Sequence, residues 1–242
     1  MHINTQGLVL REVNYKEADK ILTVLTAEGG KRTVKARGCR RKGSRLAACA
    51  QLLVYSEMTL FEYRDYYTLN EAESLQQFWG VKADVEKLAL GSYCAQVLEA
   101  VAEEGRSDPE LLSLILNTLY ALVKAAFELR LMCLAGYEPL LDACAVCGVP
   151  APEQPQLSLS EGVLCCGRCR AGAGDGPFLP LEGGTLEAMR HIVYGDPKRL
   201  FSVPADGAAL ACLAEVCERF LTGQLDRGFQ TLDFYKQLKA GM

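Results

Sequence analysis

The sequence predicts an α+β, multidomain chain: an N-terminal OB-fold β-barrel followed by an all-α C-terminal domain that carries an inserted four-cysteine zinc-finger unit. Three observations predict it. Short β-rich runs separated by turn residues fill positions 3–75, the apolar period becomes helical from Val81, and two Cys-x-x-Cys pairs interrupt the helical part. The bounds that follow are 1–79 for the OB-fold barrel and 80–242 for the helical domain, with the cysteine insertion near 140–172.

In the barrel, Gln6 to Arg11 and Lys20 to Thr26 read as strands, and Glu28-Gly29-Gly30 turns the chain into a third, Lys31 to Ala36. Leu52 to Tyr63 alternates in part, Arg64-Asp65 makes a tight turn, and Tyr66 to Leu75 returns. Five short strands fit a small closed barrel, with the OB-fold ahead of an SH3-like barrel, since strand count alone does not separate the two. Aromatics cluster here: Tyr15, Tyr55, Phe61, Tyr63, Tyr66, Tyr67, Phe78 and Trp79. An aromatic on an alternating strand is ordinarily core, whereas an exposed one can stack a nucleic-acid base. Tyr66 and Tyr67 are adjacent and so point to opposite faces, which leaves at least one of them exposed.

The helical part opens with Val81 to Glu104, stopped by Gly105. Asp108-Pro109 supplies an N-cap acid and a proline at the first helical position. The helix it starts reads through to about Leu134, where Gly136 caps it and Pro139 prevents continuation. It is apolar nearly all round, as a buried spine is, with Glu128 and Arg130 near a polar seam. Thr185 to Tyr194 and Asp206 to Leu221 are two further helices, broken apart at Gly195-Asp196-Pro197. The amphipathic tail Leu225 to Leu238 is expected to pack back onto the helical body.

Between these helices lie Cys144-x-x-Cys147 and Cys166-x-x-Cys169, separated by prolines at 150, 152 and 155 and by one short strand within Gln156 to Ser160. Two such knuckles match a four-thiolate zinc site, with Cys144, Cys147, Cys166 and Cys169 as ligands. Cys165 competes for the third position, but its spacing to Cys169 is less suited to the turn of a knuckle. With all four positions filled by protein, Zn²⁺ there has a structural role. Eleven cysteines spread through helices and loops, in a chain that opens without a charged and apolar leader, read as reduced cytosolic thiols plus a metal site.

Charge is distributed unevenly. The net charge is −4, yet residues 1–80 carry 12 Lys/Arg against 9 Asp/Glu, which leaves the remainder at −7. Lys31 to Arg45 contains eight cations (Lys31, Arg32, Lys35, Arg37, Arg40, Arg41, Lys42, Arg45) and no acid. Side chains packed this densely repel one another unless an anion lies among them, and a phosphate backbone is the anion that fits. The plainer reading is a solvated basic loop. Motifs for other chemistry are missing: there is no phosphate-cradling GxxxxGK[ST], no GxSxG, and the only histidines are His2 and His191. His191, in mid-helix, reads as structural.

Several stretches together resemble the RecO family of bacterial recombination mediators, over nearly the whole chain. GLVLREVNYKEADKILTVLTAEGGK looks like that family's opening strands, and KARGCRRKGSRLAACAQLL like its basic segment running into the third barrel strand. LRLMCLAGYEPLLDACAVCG is similar to its helix leading into the first knuckle, and YGDPKRLF and GFQTLDFYKQL to its C-terminal helices. The resemblance implies a non-enzymatic DNA repair and recombination protein of the RecF pathway. Such a protein binds single- and double-stranded DNA and anneals complementary strands. With RecR it promotes RecA loading on DNA covered by single-strand-binding protein. It implies a cytoplasmic, nucleoid-associated protein with no membrane contact. By position, the matching DNA-binding residues are Lys35, Arg37, Arg40, Arg41, Lys42 and Arg45. Some family members lack the cysteines, so zinc rests on the spacing in this chain. Two other classes compete: a zinc-stabilised adaptor whose basic segment meets an acidic protein, and a thiol oxidoreductase using the Cys-x-x-Cys pairs.

Overall fold

The computed structural model describes residues 1–64 and 66–241. The turn expected at Arg64-Asp65 therefore lies partly outside the described residues, and Arg64 itself has φ 48°. The chain divides into two compact units, Met1–Leu122 with Phe229–Met242, and Val123–Gly228.

In the first unit, strands β1 (His2–Tyr15), β2 (Asp19–Thr26), β3 (Gly30–Ala36), β4 (Tyr55–Tyr63) and β5 (Tyr66–Gln76) close into a barrel in the order β1-β2-β3-β5-β4. Neighbours run antiparallel except at the closing seam, where β3 pairs β5 in parallel. This is the OB-fold. Strand β1 is longer than its β-rich centre predicts because it pairs β4 along its first half and β2 along its second. Its register shifts between Val9 and Arg11. There the Val9 N–H donates to Val54 O at 3.1 Å, and Val9 O accepts from the Leu53 N–H at 2.9 Å. Residues 52–54, expected to open β4, precede it instead, with Leu53 at φ 57° and both Leu53 and Val54 bonded to Val9. Inward positions Val9, Leu22, Val24, Val34, Met58, Leu60 and Leu69 fill the barrel. The sharp entry to β3 requires Gly30 at φ +59°, because a Cβ there would lie 2.2 Å from Arg106 O.

The helix expected over 81–104 is two helices, α1 (Trp79–Lys82) and α2 (Val85–Val101), separated by Asp84, whose carboxylate accepts from the Glu86 and Lys87 N–H groups as an N-cap. Glu103 and Glu104 then bridge to the start of β3, with the Lys31 N–H donating to Glu103 O at 3.0 Å, and Gly105 turns the chain away at φ +74°. The long helix expected from Pro109 to Leu134 is also two: α3 (Pro109–Ala121) and α4 (Lys124–Leu134). Leu122 adopts φ 53°, a left-handed conformation unfavourable for a Leu, and Val123 is extended. The apolar pattern runs through this break without marking it, and the two compact units divide at the same point. The final helix α7 (Gln230–Ala240) packs on α2, with Tyr93 edge-on to Phe229 at 5.9 Å and Thr231 Oγ1 donating to Gln96 Oε1 at 2.6 Å.

In the second unit, α4 packs against α5 (Thr185–Tyr194) and α6 (Gly207–Gln224), the last capped by Asp206. Glu128 does not sit at a polar seam. It is fully buried and pairs with Lys124 at 2.9 Å, and Lys124 also reaches Glu218 on α6 at 2.9 Å. A small sheet of β7 (Leu164–Cys165), β6 (Gln156–Ser158) and β8 (Phe178–Pro180) accompanies the cysteines, of which the sequence indicates β6 alone. Among the described residues no helix is long and apolar enough to cross a membrane.

Candidate nucleic-acid interface and metal centre

The basic segment begins on β3 and continues into a run of turns between Ala36 and Tyr55. Alternation on β3 divides its cations. Arg32 shares the inward parity of Val34 and stacks its guanidinium 4.6 Å over the Tyr67 ring, while the Lys31 ammonium donates to Glu99 O at 2.9 Å. Lys35 points outward, lies 3.2 Å from Asp19 Oδ2 and 4.9 Å from the centre of the Tyr15 ring, and is half-buried.

The turns beyond β3 are fixed by the backbone and by small apolar anchors. The Arg41 N–H donates to Gly38 O, Ser44 N–H to Arg41 O, and Ala47 N–H to Ser44 O, each at 3.1–3.2 Å. Cys39 and Ala50 are buried in the barrel core, with Leu46 packed against it. Asp19 accepts from the Gly38 N–H at 2.8 Å; this bond, aided by Lys35, holds its carboxyl below the ordinary range although partial burial works against it. Because the anchors face inward, Arg37, Arg40, Arg41, Lys42 and Arg45 are all exposed. None of the five forms an ion pair among the described residues, and Arg40 hydrogen-bonds the barrel through its side chain, Nη1 donating to Lys16 O at 3.3 Å. The six residues singled out from the sequence are thus brought to one segment, with Lys35 tied to a carboxylate and the other five turned outward. Arg45 differs in its surroundings, since it lines a groove with Glu57, Glu71 and Glu73.

In the second unit the sulfurs of Cys144, Cys147, Cys166 and Cys169 lie within 4.8 Å of one another. Four thiolates about 2.3 Å from a tetrahedral zinc would stand about 3.8 Å apart, and Cys147 Sγ and Cys166 Sγ are 3.9 Å apart. The donor set and its spacing fit a metal ion. Each knuckle is a tight backbone turn: the Gly148 N–H donates to Cys144 O at 2.8 Å, and the Cys169 N–H to Cys166 O at 3.0 Å. Burial alone would raise the Cys144 thiol, but the N–H groups of Cys147, Cys166 and Val146 outweigh it and bring it down to about 6. Cys169 is pushed up to about 12 by the neighbouring Cys166 and Cys147 sulfurs, with burial adding to them. One thiolate forms easily and the last resists, and a bound cation removes that resistance.

Cys165 is outside the cluster of four; its thiol donates to Cys166 O at 3.4 Å, and burial raises it. Arg190 on α5 clamps the root of the first knuckle, donating to Leu141 O, Asp142 O and Pro150 O at 2.7–3.0 Å. Arg170 is engaged with Gly174 O and Gly176 O and stacks on Phe178 at 3.9 Å, which leaves Arg168 as the exposed cation of that knuckle. His191 Nε2 bonds to Arg199 O at 2.9 Å, a helix-end contact.

The family model described as "Recombination protein O C terminal" matches residues 82–233, and "Recombination protein O N terminal" matches residues 1–78. The chain belongs to the recombination protein O family. Among its curated relatives, the DNA repair protein RecO of Acetivibrio thermocellus is 32% identical over 98% of this chain and 97% of its own length. The proteins of the same name from Alkaliphilus metalliredigens and Desulforudis audaxviator are 30% and 31% identical, over 98% and 97% of this chain and 100% and 96% of their own.

In this RecO-family chain Tyr66 is exposed, as the adjacency of Tyr66 and Tyr67 requires of at least one of them, but the sequence reads most of the aromatic surface as core. Of the eight clustered aromatics only Phe78 is buried, and Tyr15, Phe61, Tyr63, Tyr66 and Trp79 are exposed. The odd parity of Phe61 and Tyr63, opposite to inward Met58 and Leu60, is the signal that finds two of them.

Proposed function

We propose that this chain is a non-enzymatic, DNA-binding recombination mediator in DNA repair, working in the RecF pathway. It binds single- and double-stranded DNA through Lys35, Arg37, Arg40, Arg41, Lys42 and Arg45, and anneals complementary strands. With RecR it promotes RecA loading on DNA covered by single-strand-binding protein, in the cytoplasm at the nucleoid. The observation that carries this reading is the set of five exposed cations between residues 37 and 45 that form no ion pair among the described residues. On an OB barrel whose chain as a whole is acidic, they are left for an anion from outside. Contacts of Arg and Lys with phosphate position a protein without reading bases, so binding is weakly dependent on sequence.

The cysteine cluster holds Zn²⁺ structurally, through Cys144, Cys147, Cys166 and Cys169. The ion closes the knuckles, and the protein supplies all four ligands. Metal analysis is expected to return about one zinc per chain.

The test is binding to a single-stranded oligonucleotide as a function of salt. Four phosphate contacts give a slope of log affinity against log salt near −3, at about −0.7 per contact. The Arg40→Ala/Arg41→Ala/Lys42→Ala variant is expected to flatten that slope, to weaken binding to all sequences alike, and to lose strand annealing. Wild-type affinity and slope in that variant would remove the assignment.

A further inference from the structure

We propose that the outer face of the barrel's closing seam is a base-stacking platform for single-stranded DNA, built from Phe61, Tyr63 and Tyr66 and adjoining Lys35 of the basic segment. It rests on the DNA-binding reading above and adds to it a site for the bases, where that reading has a site only for phosphates.

Register places the platform. The parallel seam sets Lys35 beside Thr68, Thr68 lies opposite Phe61, and Phe61 lies opposite His2 on β1. One step along the hairpin, Tyr63 lies opposite Tyr66. Val34, Leu60 and Leu69 fill the barrel core, so Lys35, Phe61 and Thr68 face outward together. Residues far apart in the chain thus share one surface, and Lys35 is the member of the basic segment that lies on it. Flat rings beside a cationic track are what single-strand grooves use, because every base has a face to stack while the backbone runs along the charge.

The rings are left open. Tyr66 is 77% exposed, Tyr63 58% and Phe61 38%, on a barrel whose inward positions are filled. Their immediate partners suit nucleic acid: the Arg64 guanidinium lies 5.2 Å over the Tyr63 ring, and the His2 ring lies 5.3 Å from Phe61 at an interplanar angle of 58°. Glu62, the acid between the two β4 rings, accepts a hydrogen bond from the Tyr67 hydroxyl at 3.0 Å. Further along the same hairpin the outward positions turn acidic, with Glu57 opposite Glu73 and Glu71 opposite Thr59. Those carboxylates end the aromatic surface at Phe61, so the platform holds only a few bases.

The experiment compares three probes of matched length by fluorescence anisotropy: a 30-nucleotide oligo-dT, an abasic deoxyribose-phosphate strand carrying the same charge, and a duplex. Wild type is expected to bind oligo-dT about tenfold or more tighter than the abasic strand. Tyr63→Ala/Tyr66→Ala is expected to bring oligo-dT down to the abasic level while leaving the duplex and the salt slope unchanged. Tyr63→Phe/Tyr66→Phe, which keeps the rings, is expected to behave as wild type. An Ala variant that keeps the full preference for oligo-dT overturns the platform, and so does a Phe variant as weak as the Ala one. The phosphate reading fails separately, if the Arg40/Arg41/Lys42 variant binds all three probes normally. A wild-type chain that binds no oligo-dT removes both.

Discussion

The two units each hold an irregular segment in place, and they do it by opposite means. Residues 37–50 in the barrel unit are fixed by main-chain turns and by buried Cys39 and Ala50, so the long charged side chains between the anchors are free. Residues 144–169 in the second unit are fixed by the side chains themselves, four sulfurs that converge within 4.8 Å. The cations show the same contrast. Lys124 is enclosed by Glu128 and Glu218, whereas Arg41 and Lys42 face solvent. Side chains used as architecture are consumed by it, and side chains held up by backbone remain available to a ligand.

The sharpest way to break this comparison is Cys144→Ser/Cys166→Ser. Zinc content is expected to fall from about one per chain to none, and limited proteolysis to open between residues 140 and 180, while oligo-dT affinity stays at the wild-type level. DNA binding that collapses together with the metal would show that the cysteine unit is more than architecture.

Next in size is the buried cation. Lys124→Met leaves Glu128 buried against Glu218 without the ammonium between them, and is expected to cost about 3–5 kcal/mol in urea unfolding. The same change at exposed Lys42 should stay within about 0.5 kcal/mol. Equal effects at the two positions would erase the distinction.

A smaller effect tests the one predicted contact that the fold has tied down. Asp19→Asn releases Lys35, so the salt slope is expected to steepen by about 0.7, the share of one phosphate contact. The Asp19 carboxyl lies below its ordinary value of 3.8, first because of the Gly38 N–H. Its contribution to stability is therefore complete above 3.8 and disappears as pH falls through the lower, folded value. Thermal melts of wild type and Asp19→Asn should differ slightly at neutral pH and converge in acid. Smallest of all, Arg45→Ala is expected to weaken DNA binding less than Arg40→Ala, because Glu57, Glu71 and Glu73 beside Arg45 already offset its charge. A larger loss at Arg45 would place the DNA path on the acidic side of the barrel.

Much of this was legible beforehand because the signals are local. Period-2 runs marked the barrel strands, Asp108-Pro109 marked the start of α3, and the Cys-x-x-Cys spacing selected the four sulfurs that meet. The rest was not, for a common physical reason. Nothing near Leu122 marks the end of α3, since the apolar period continues through it and the break coincides with the division into compact units. Glu128 reads as a surface residue until α6 brings Glu218 to the same lysine from 94 positions away along the chain. The two- and three-residue strands beside the cysteines are too short to carry a period at all.

By itself, then, the sequence determined the inventory: which segments extend or coil, where positive charge is concentrated, and which four thiols have ligand spacing. Only the tertiary structure decided direction and company. It turned Arg32 inward and Arg37 outward, gave Lys35 a carboxylate, and set Phe61 and Tyr66 beside the basic strand through a parallel seam. Local preference repeats along the chain, but a barrel closes only when its distant first, third and last strands find one register, and that register fixes which side chains share a face.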